Sequence, residues 1–238
     1  MDLSIIMAYK PDGGIRDRHC KWTAARYREM FPAAEIIIST DKSSKSAEGW
    51  DSFCKAKYIN KGVERAKNNN ILITDIDVVF MRNTILKGIE QLPGHCAVLP
   101  FSVIYYLSRS QTETVLSTKP KWQMPRIKLA QAKKKTRIGL KPNGMHLLTK
   151  AAWRKSGGYD ERYTGWGSED SAFLWSLVTM NPKEILRIDA NCYHLWHPLD
   201  KTRHRKRNER VTELTQKYLA AKFNPYEMAK ILREKGRR

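Results

Sequence analysis

The sequence predicts an α/β domain, and three observations predict it. Short runs of β-branched and apolar residues alternate with amphipathic stretches at helical spacing. Those runs end on loops rich in glycine, proline or carboxylates. The length, 238 residues with seven tryptophans, is enough to bury one sizeable core. No apolar run approaches the roughly 18–20 residues of a membrane span. The start, Met1-Asp2-Leu3-Ser4-Ile5-Ile6, has neither a basic region nor a cleavage site, so no signal peptide is expected. The cysteines (Cys20, Cys54, Cys96 and Cys192) form no Cys-x-x-Cys pair, which argues against a zinc knuckle and for a reducing, cytoplasmic setting.

Residues 3–7 read as a first strand, followed by the loop Ala8-Tyr9-Lys10-Pro11-Asp12-Gly13-Gly14. Residues 16–31 carry Cys20, Ala24, Tyr27 and Phe31 at helical spacing, and Pro32 stops that helix. Residues 35–41 are a second strand ending on Asp41. In such a β-α-β unit the loops at strand C-termini bind ligands. Asp41 is therefore a candidate nucleobase or ribose contact, or else a turn or N-cap aspartate. Residues 52–67 read as a helix with Phe53, Ala56, Ile59, Val63 and Ala66 on one face.

Residues 70–80 are apolar and β-branched, as in a strand buried on both faces; Asp75 and Asp77 stand at its end, and the apolar character then resumes. Burying carboxylates there is costly unless a cation offsets them. A divalent metal carrying a phosphate-bearing ligand is such an offset, since hard oxygen ligands suit Mg²⁺ or Mn²⁺. The plain alternative is a strand-end turn with solvated aspartates. Residues 95–101 look like a further strand, which 103–107 extend within the sheet, and from 108 to 141 the periodicity fails, as in a long loop or lid.

Residues 143–150 read as a strand opening on a turn, 151–156 as a short helix ended by Gly157-Gly158, and 171–180 as a helix. Glu169 and Asp170 then fall in a loop or at a helix N-terminus, where the dipole and free N–H groups favour carboxylates. Capping accounts for one of them but not for Trp166-Gly167 before them. Residues 185–190 are a late strand, and 203–236 are helical and basic with a break at Asn224-Pro225.

The net charge is +20, and it is concentrated. Nine basic residues and no acidic one lie between 119 and 141, and thirteen basic against four acidic lie between 201 and 238. A solvated basic surface is the plain explanation, but two blocks flanking a balanced domain favour a polyanionic partner.

Four segments, in this order, resemble the nucleotide-diphospho-sugar glycosyltransferases of the GT-A fold, most closely the β-1,4-galactosyltransferase group. Phe53-Cys54-Lys55-Ala56-Lys57-Tyr58-Ile59-Asn60-Lys61-Gly62 is similar to the helix before the metal strand, and Thr74-Asp75-Ile76-Asp77 to the Asp-x-Asp motif. Gly157-Gly158-Tyr159 through Gly165-Trp166-Gly167-Ser168-Glu169-Asp170 resembles the acceptor loop, and His194-Leu195-Trp196-His197 the late histidine ligand.

The resemblance implies a Rossmann-like domain over residues 1–200, with a mixed central sheet flanked by helices. A basic helical extension, 201–238, would pack on it. It implies Mn²⁺ (or Mg²⁺) held by Asp77 and His197, with His194 behind His197, and a UDP-sugar donor whose ribose Asp75 contacts. Lys10 or Arg16 at the diphosphate or base, Lys55 at the arginine position and Asp41 from the β-α-β unit are the further donor candidates. A hexose would move, with inversion, to a hydroxyl activated by Asp170 beside Glu169, in a pocket shaped by Trp166 and Gly167. The chain departs from the group at Ala8-Tyr9-Lys10, where Pro-Phe-Arg is usual, at Lys55 for an arginine, and at Ser171 for a third acidic residue. Those departures bear on the sugar and the acceptor.

The basic blocks, with Trp122, Tyr218, Phe223 and Tyr226 among them, suit a nucleic-acid acceptor. A hydroxymethylated base in DNA would then be flipped into the Trp166 pocket. An anionic cell-surface polysaccharide, a glycolipid or acidic lipids would use the same charge. A metal-dependent nuclease built on Asp75, Asp77, Glu169, Asp170 and His197 is an alternative from another class. It gives the Trp-Gly-Ser-Glu-Asp loop no role. A silent DNA-binding module leaves the ordered carboxylates unexplained.

Overall fold

The computed structural model describes residues 2–40, 53–121, 123–140, 144–164, 167–198 and 209–235. The first half runs β1 (Ser4–Tyr9), α1 (Ile15–Met30), β2 (Glu35–Thr40), α2 (Lys55–Arg65), β3 (Asn70–Thr74), β4 (Val78–Phe80), α3 (Arg82–Gln91), β5 (Ala97–Leu99) and β6 (Val103–Tyr106). The second runs α4 (Arg109–Leu116), β7 (Lys133–Thr136), β8 (His146–Thr149), α5 (Lys150–Lys155), α6 (Glu169–Met180), β9 (Ile185–Arg187), β10 (Asn191–His194), α7 (Glu209–Ala220) and α8 (Pro225–Lys235).

Six strands form a mixed sheet in the order β2-β1-β3-β8-β5-β9, and four form a second sheet, β4-β10-β6-β7. β1, β2 and β3 are parallel, with Met7 opposite Ile38 and Thr74. Their C-terminal ends share one edge, so the loops carrying Lys10 and Asp75 open side by side. Period-two alternation divides the core. Leu3, Ile5, Met7 and Leu72 face Tyr27 and Met30 of α1, while Ile6, Ile71 and Ile73 face Ala56, Ile59 and Val63 of α2. Both faces are covered, which is why these strands read as continuous apolar runs.

Several expectations are corrected. The helix expected over 52–67 begins, within the described residues, at Lys55. Residues 70–80 are two strands in two sheets, joined by the turn Asp75-Ile76-Asp77, where the Val78 N–H donates to the Asp75 carbonyl at 3.4 Å. The run 103–107 does not extend the first sheet; β6 lies inside the second, parallel to β10. The expected lid holds a helix and a strand. α4 is closed by a capping box, the Gln111 N–H donating to Ser108 Oγ at 3.2 Å and the Ser108 N–H to Gln111 Oε1 at 2.7 Å. β7 is exposed along its whole length. An edge strand of lysines has no buried face, so it shows no hydrophobic alternation.

α7 and α8 pack on α6 through Tyr163, Ala172, Val211, Leu214, Tyr218, Met228 and Ile231. The expected break is an N-cap: Asn224 Oδ1 accepts from the Glu227 N–H at 3.2 Å, with Pro225 as first helical residue. The Tyr218 hydroxyl donates to buried Asp160 Oδ2 at 2.8 Å, and Arg162 pairs with the same oxygen at 2.7 Å. All four cysteines are free thiols. No helix among the described residues is long and apolar enough to cross a membrane.

Tyr218→Phe keeps the ring and removes one hydrogen bond from a buried carboxylate. We expect a loss of about 2 kcal/mol, read as a melting temperature lower by roughly 4–8 °C.

Candidate active site

Asp77 is 4 % exposed in the turn between the two sheets. β10 pairs antiparallel with β4, setting His194 opposite Val78, and the Leu195 N–H donates to the Asp77 carbonyl at 2.7 Å. His194 Nε2 lies 3.8 Å from Asp77 Oδ1, and His197 Nε2 lies 3.4 Å from Oδ2. One ligand atom from each of the three residues falls within 4.8 Å of the others. Burial alone would push the Asp77 pKa up, but His194, Arg16 and His197 more than reverse it, so the carboxylate is ionised.

These residues fit a metal ion. His197 Nδ1 is 3.0 Å from the Pro198 carbonyl oxygen, which can only accept, so Nδ1 carries the proton. Nε2 then presents a lone pair to a carboxylate oxygen with no proton between them, and a cation completes that pairing. Burial lowers the His197 pKa against the pull of Asp77, favouring the neutral, ligating ring. One oxygen and two imidazole nitrogens suit Mn²⁺ better than Mg²⁺.

The second half of the site is organised by Lys55, the first residue of α2. Its Nζ is 2.7 Å from Asp75 Oδ1 and 3.9 Å from Asp170 Oδ2, tying the Asp-x-Asp turn to the first turn of α6. Burial opposes the ammonium, but Asp170, Asp75 and Glu169 outweigh it and hold Lys55 protonated. Gly144 fills the space between them. A Cβ built there would lie 2.9 Å from Asp170 Oδ2, 3.2 Å from Asp75 Oδ2 and 3.4 Å from Lys55 Nζ, and its φ of +69° already excludes most side chains.

Burial first, then Glu169 and Asp75, push the Asp170 carboxyl up to about 7, against Lys55 and the Tyr159 hydroxyl. A carboxylate with that affinity is suited to general-base work near neutral pH. Gly167 (φ +107°) and Ser168 (φ +72°) lead into α6 in left-handed conformations. They set Glu169 and Asp170 in its first turn, where backbone N–H groups are free. A left-handed serine is a local strain of the kind found at functional sites.

Of the residues singled out in the sequence, the structure thus gathers Arg16 (Nη1 4.0 Å from Asp77 Oδ2), Lys55, Asp75, Asp77, Glu169, Asp170 and His197. Lys10 is half-buried in the loop after β1, and Gly167 precedes the α6 turn. Asp41 and Trp166 lie outside the described residues. His194 is a full member of the cluster rather than a substitute for His197. Sequence reasoning missed Gly144 and His19. His19 is fully buried with neither ring nitrogen hydrogen-bonded among the described residues, and burial pushes its pKa down to about 4. Its one cue was its position a helical turn after Arg16.

A carboxyl whose pKa is raised on folding favours the folded state below the unfolded value, about 3.9, and loses that contribution as pH rises through the folded value. Asp170→Asn should therefore melt above wild type at pH 8, with the advantage shrinking towards pH 5. Thermal denaturation at the two pH values checks this.

The family model described as the N-terminal domain of galactosyltransferase matches residues 126–197, which include β8, the Glu169–Asp170 turn and both histidines. A search of curated proteins gives no match. Among solved structures, the catalytic domain of Drosophila β-1,4-galactosyltransferase 7 in complex with xylobiose aligns at TM-score 0.59 and 14 % identity, over 91 % of this chain and 79 % of that one. A mutant of that protein in complex with manganese, UDP-Gal and xylobiose aligns at 0.59 and 13 %, over 91 % and 80 %. S. aureus TarS, residues 1–349, aligns at 0.58 and 13 %, over 98 % and 69 %. The two mixed sheets and their flanking helices are therefore the GT-A fold, the fold of nucleotide-sugar glycosyltransferases.

Proposed function

We propose that the protein is a metal-dependent glycosyltransferase that moves a hexose from a UDP-sugar to a hydroxyl acceptor with inversion. The observation that carries this reading is the juxtaposition at the Asp75-Ile76-Asp77 turn: Asp77, His194 and His197 are close enough to share one ion, and Lys55 links Asp75 to Asp170 beside them. The complex of the Drosophila protein with manganese, UDP-Gal and xylobiose supports it.

In this reading Asp77, His194 and His197 hold Mn²⁺, which when bound supplies counter-charge to the departing diphosphate. Arg16 and Lys10 add positive charge on the same side. Asp75 contacts the ribose, Lys55 orders Asp75, and Asp41 approaches the base. Asp170 takes the acceptor proton as the hydroxyl oxygen attacks the anomeric carbon opposite the leaving group, and a single displacement inverts that centre. Glu169 keeps Asp170 basic by like-charge repulsion. Trp166 and Gly167 shape the acceptor pocket.

For the acceptor we propose a hydroxyl carried by a polyanion, a hydroxymethylated base in DNA being the first candidate. The exposed lysines of β7 support a phosphate-lined partner. An anionic polysaccharide or glycolipid would meet the same charge. The same reading takes residues 1–200 as the catalytic domain and 201–238 as a basic extension, supported by the packing of α7 and α8 on α6. The four free thiols support a cytoplasmic setting.

Isothermal titration with UDP should show binding that requires Mn²⁺ and falls at least about tenfold in Asp77→Ala. No UDP binding with any divalent metal sinks the donor assignment. DNA cleavage by protein and Mn²⁺ without a nucleotide sugar would establish the nuclease alternative instead. Transfer to hydroxymethylated DNA should fall on the acid side of about pH 7, where Asp170 takes up a proton. Glu169→Gln removes a neighbouring charge and should move that limb to lower pH.

A further inference from the structure

Behind Asp170 lies a buried polar pair. His146, on β8, and Tyr159 are both fully buried. Tyr159 Oη is 3.1 Å from His146 Nδ1 and 3.4 Å from Asp170 Oδ1. Phe173 fixes both rings, stacked on Tyr159 at 4.2 Å and edge-on to His146 at 5.4 Å. Asn60 holds the Tyr159 backbone from both sides, donating to its carbonyl and accepting from its N–H at 2.9 Å each. The hydroxyl is thus placed by packing and backbone bonds that do not involve Asp170.

A tyrosine hydroxyl carries one hydrogen and can donate to one of these neighbours. Were it to donate to His146 Nδ1, the ring proton would sit on Nε2, which has no hydrogen-bond partner among the described residues. That leaves a buried N–H orphaned and turns an oxygen lone pair towards a carboxylate. In the opposite assignment only a lone pair on Nε2 goes unmet. Orphaned buried donors are rarer than unmet acceptors, so the second assignment holds.

We infer that His146 and Tyr159 are positioning residues for Asp170, forming a one-way chain of donors from His146 Nδ1–H to Tyr159 Oη and from Tyr159 Oη–H to Asp170 Oδ1. The chain rests on the reading of Asp170 as the base. It pins Oδ1 and leaves Oδ2, the oxygen beside Lys55 and Gly144, to take the acceptor proton. The chain orients and does not conduct. Burial, then Asp170, Glu169 and Asp75, raise the Tyr159 pKa far above its ordinary value, and burial, then Lys55 and Arg187, push His146 down to about 3. The groups facing Asp170 are Lys55 from α2, Asp75 from the turn after β3, Glu169 on its own helix, and Tyr159.

Aspartate-selective ¹³C labelling reads the Asp170 carboxyl without turnover, its resonance identified by loss in Asp170→Asn. Tyr159→Phe keeps the stacked ring and removes the donor, so the titration midpoint should rise by about one pH unit. His146→Leu should raise it by less, and should add nothing in the Tyr159→Phe background, because histidine acts only through the hydroxyl. A midpoint unmoved by Tyr159→Phe, or shifts that add in the double variant, overturns the chain. If Tyr159→Phe does not fold, His146→Leu decides alone: no rise overturns it. Loss of UDP binding would leave this titration intact, so the two readings fail separately.

Discussion

The Lys55 ammonium is the interaction that lets Asp75, Glu169 and Asp170 share one largely buried corner. Like charges at that spacing cannot all ionise in a low dielectric without a cation among them. A single lysine satisfies two carboxylates from two different elements, and so fixes α2, the turn after β3 and the start of α6 to one another. The neighbouring Asp77 lies in the opposite regime, ionised beside Arg16 and two imidazoles. Two aspartates in one site are thereby pushed in opposite directions, Asp77 down and Asp170 up.

The C-terminal helices belong to this arrangement, although among the described residues they contribute no side chain to the cluster around Lys55 and Asp77. Tyr218 reaches Asp160, Arg162 pairs with Glu234 at 3.7 Å, and the Lys235 ammonium donates to the Gly157 and Gly158 carbonyls. Each contact falls on the chain just before the Gly167–Asp170 turn. The α7–α8 pair is a buttress for the loop that aims the two carboxylates.

Much of this was legible in the sequence because burial leaves a periodic trace. The β1-α1-β2 unit, the strand ending at Asp75, the α6 turn and the break at Asn224-Pro225 all follow from apolar spacing and turn chemistry. The split of residues 70–80 was not legible, since Val78, Val79 and Phe80 are as buried in the second sheet as they would be in the first. β7 was invisible for the opposite reason, having no buried side chain. His194 stood behind His197 in its motif, but its equal place beside Asp77, like that of Gly144 among Asp75, Lys55 and Asp170, depends on partners distant in sequence. Spacing along the chain carries no such information.

The turn Asp75-Ile76-Asp77 is a joint between the two sheets. Asp75 hangs from the end of β3 in one, while the histidines that face Asp77 hang from β10 in the other. The distance from Asp75 to the cluster of Asp77, His194 and His197 therefore follows the angle between the two sheets. Packing at their seam, where Phe80 meets Phe101 at 5.9 Å and Arg26 grips the Phe80 carbonyl at 2.7 Å, acts as the adjusting screw. Drift in that seam would retune the site's dimensions while every residue in it stayed the same.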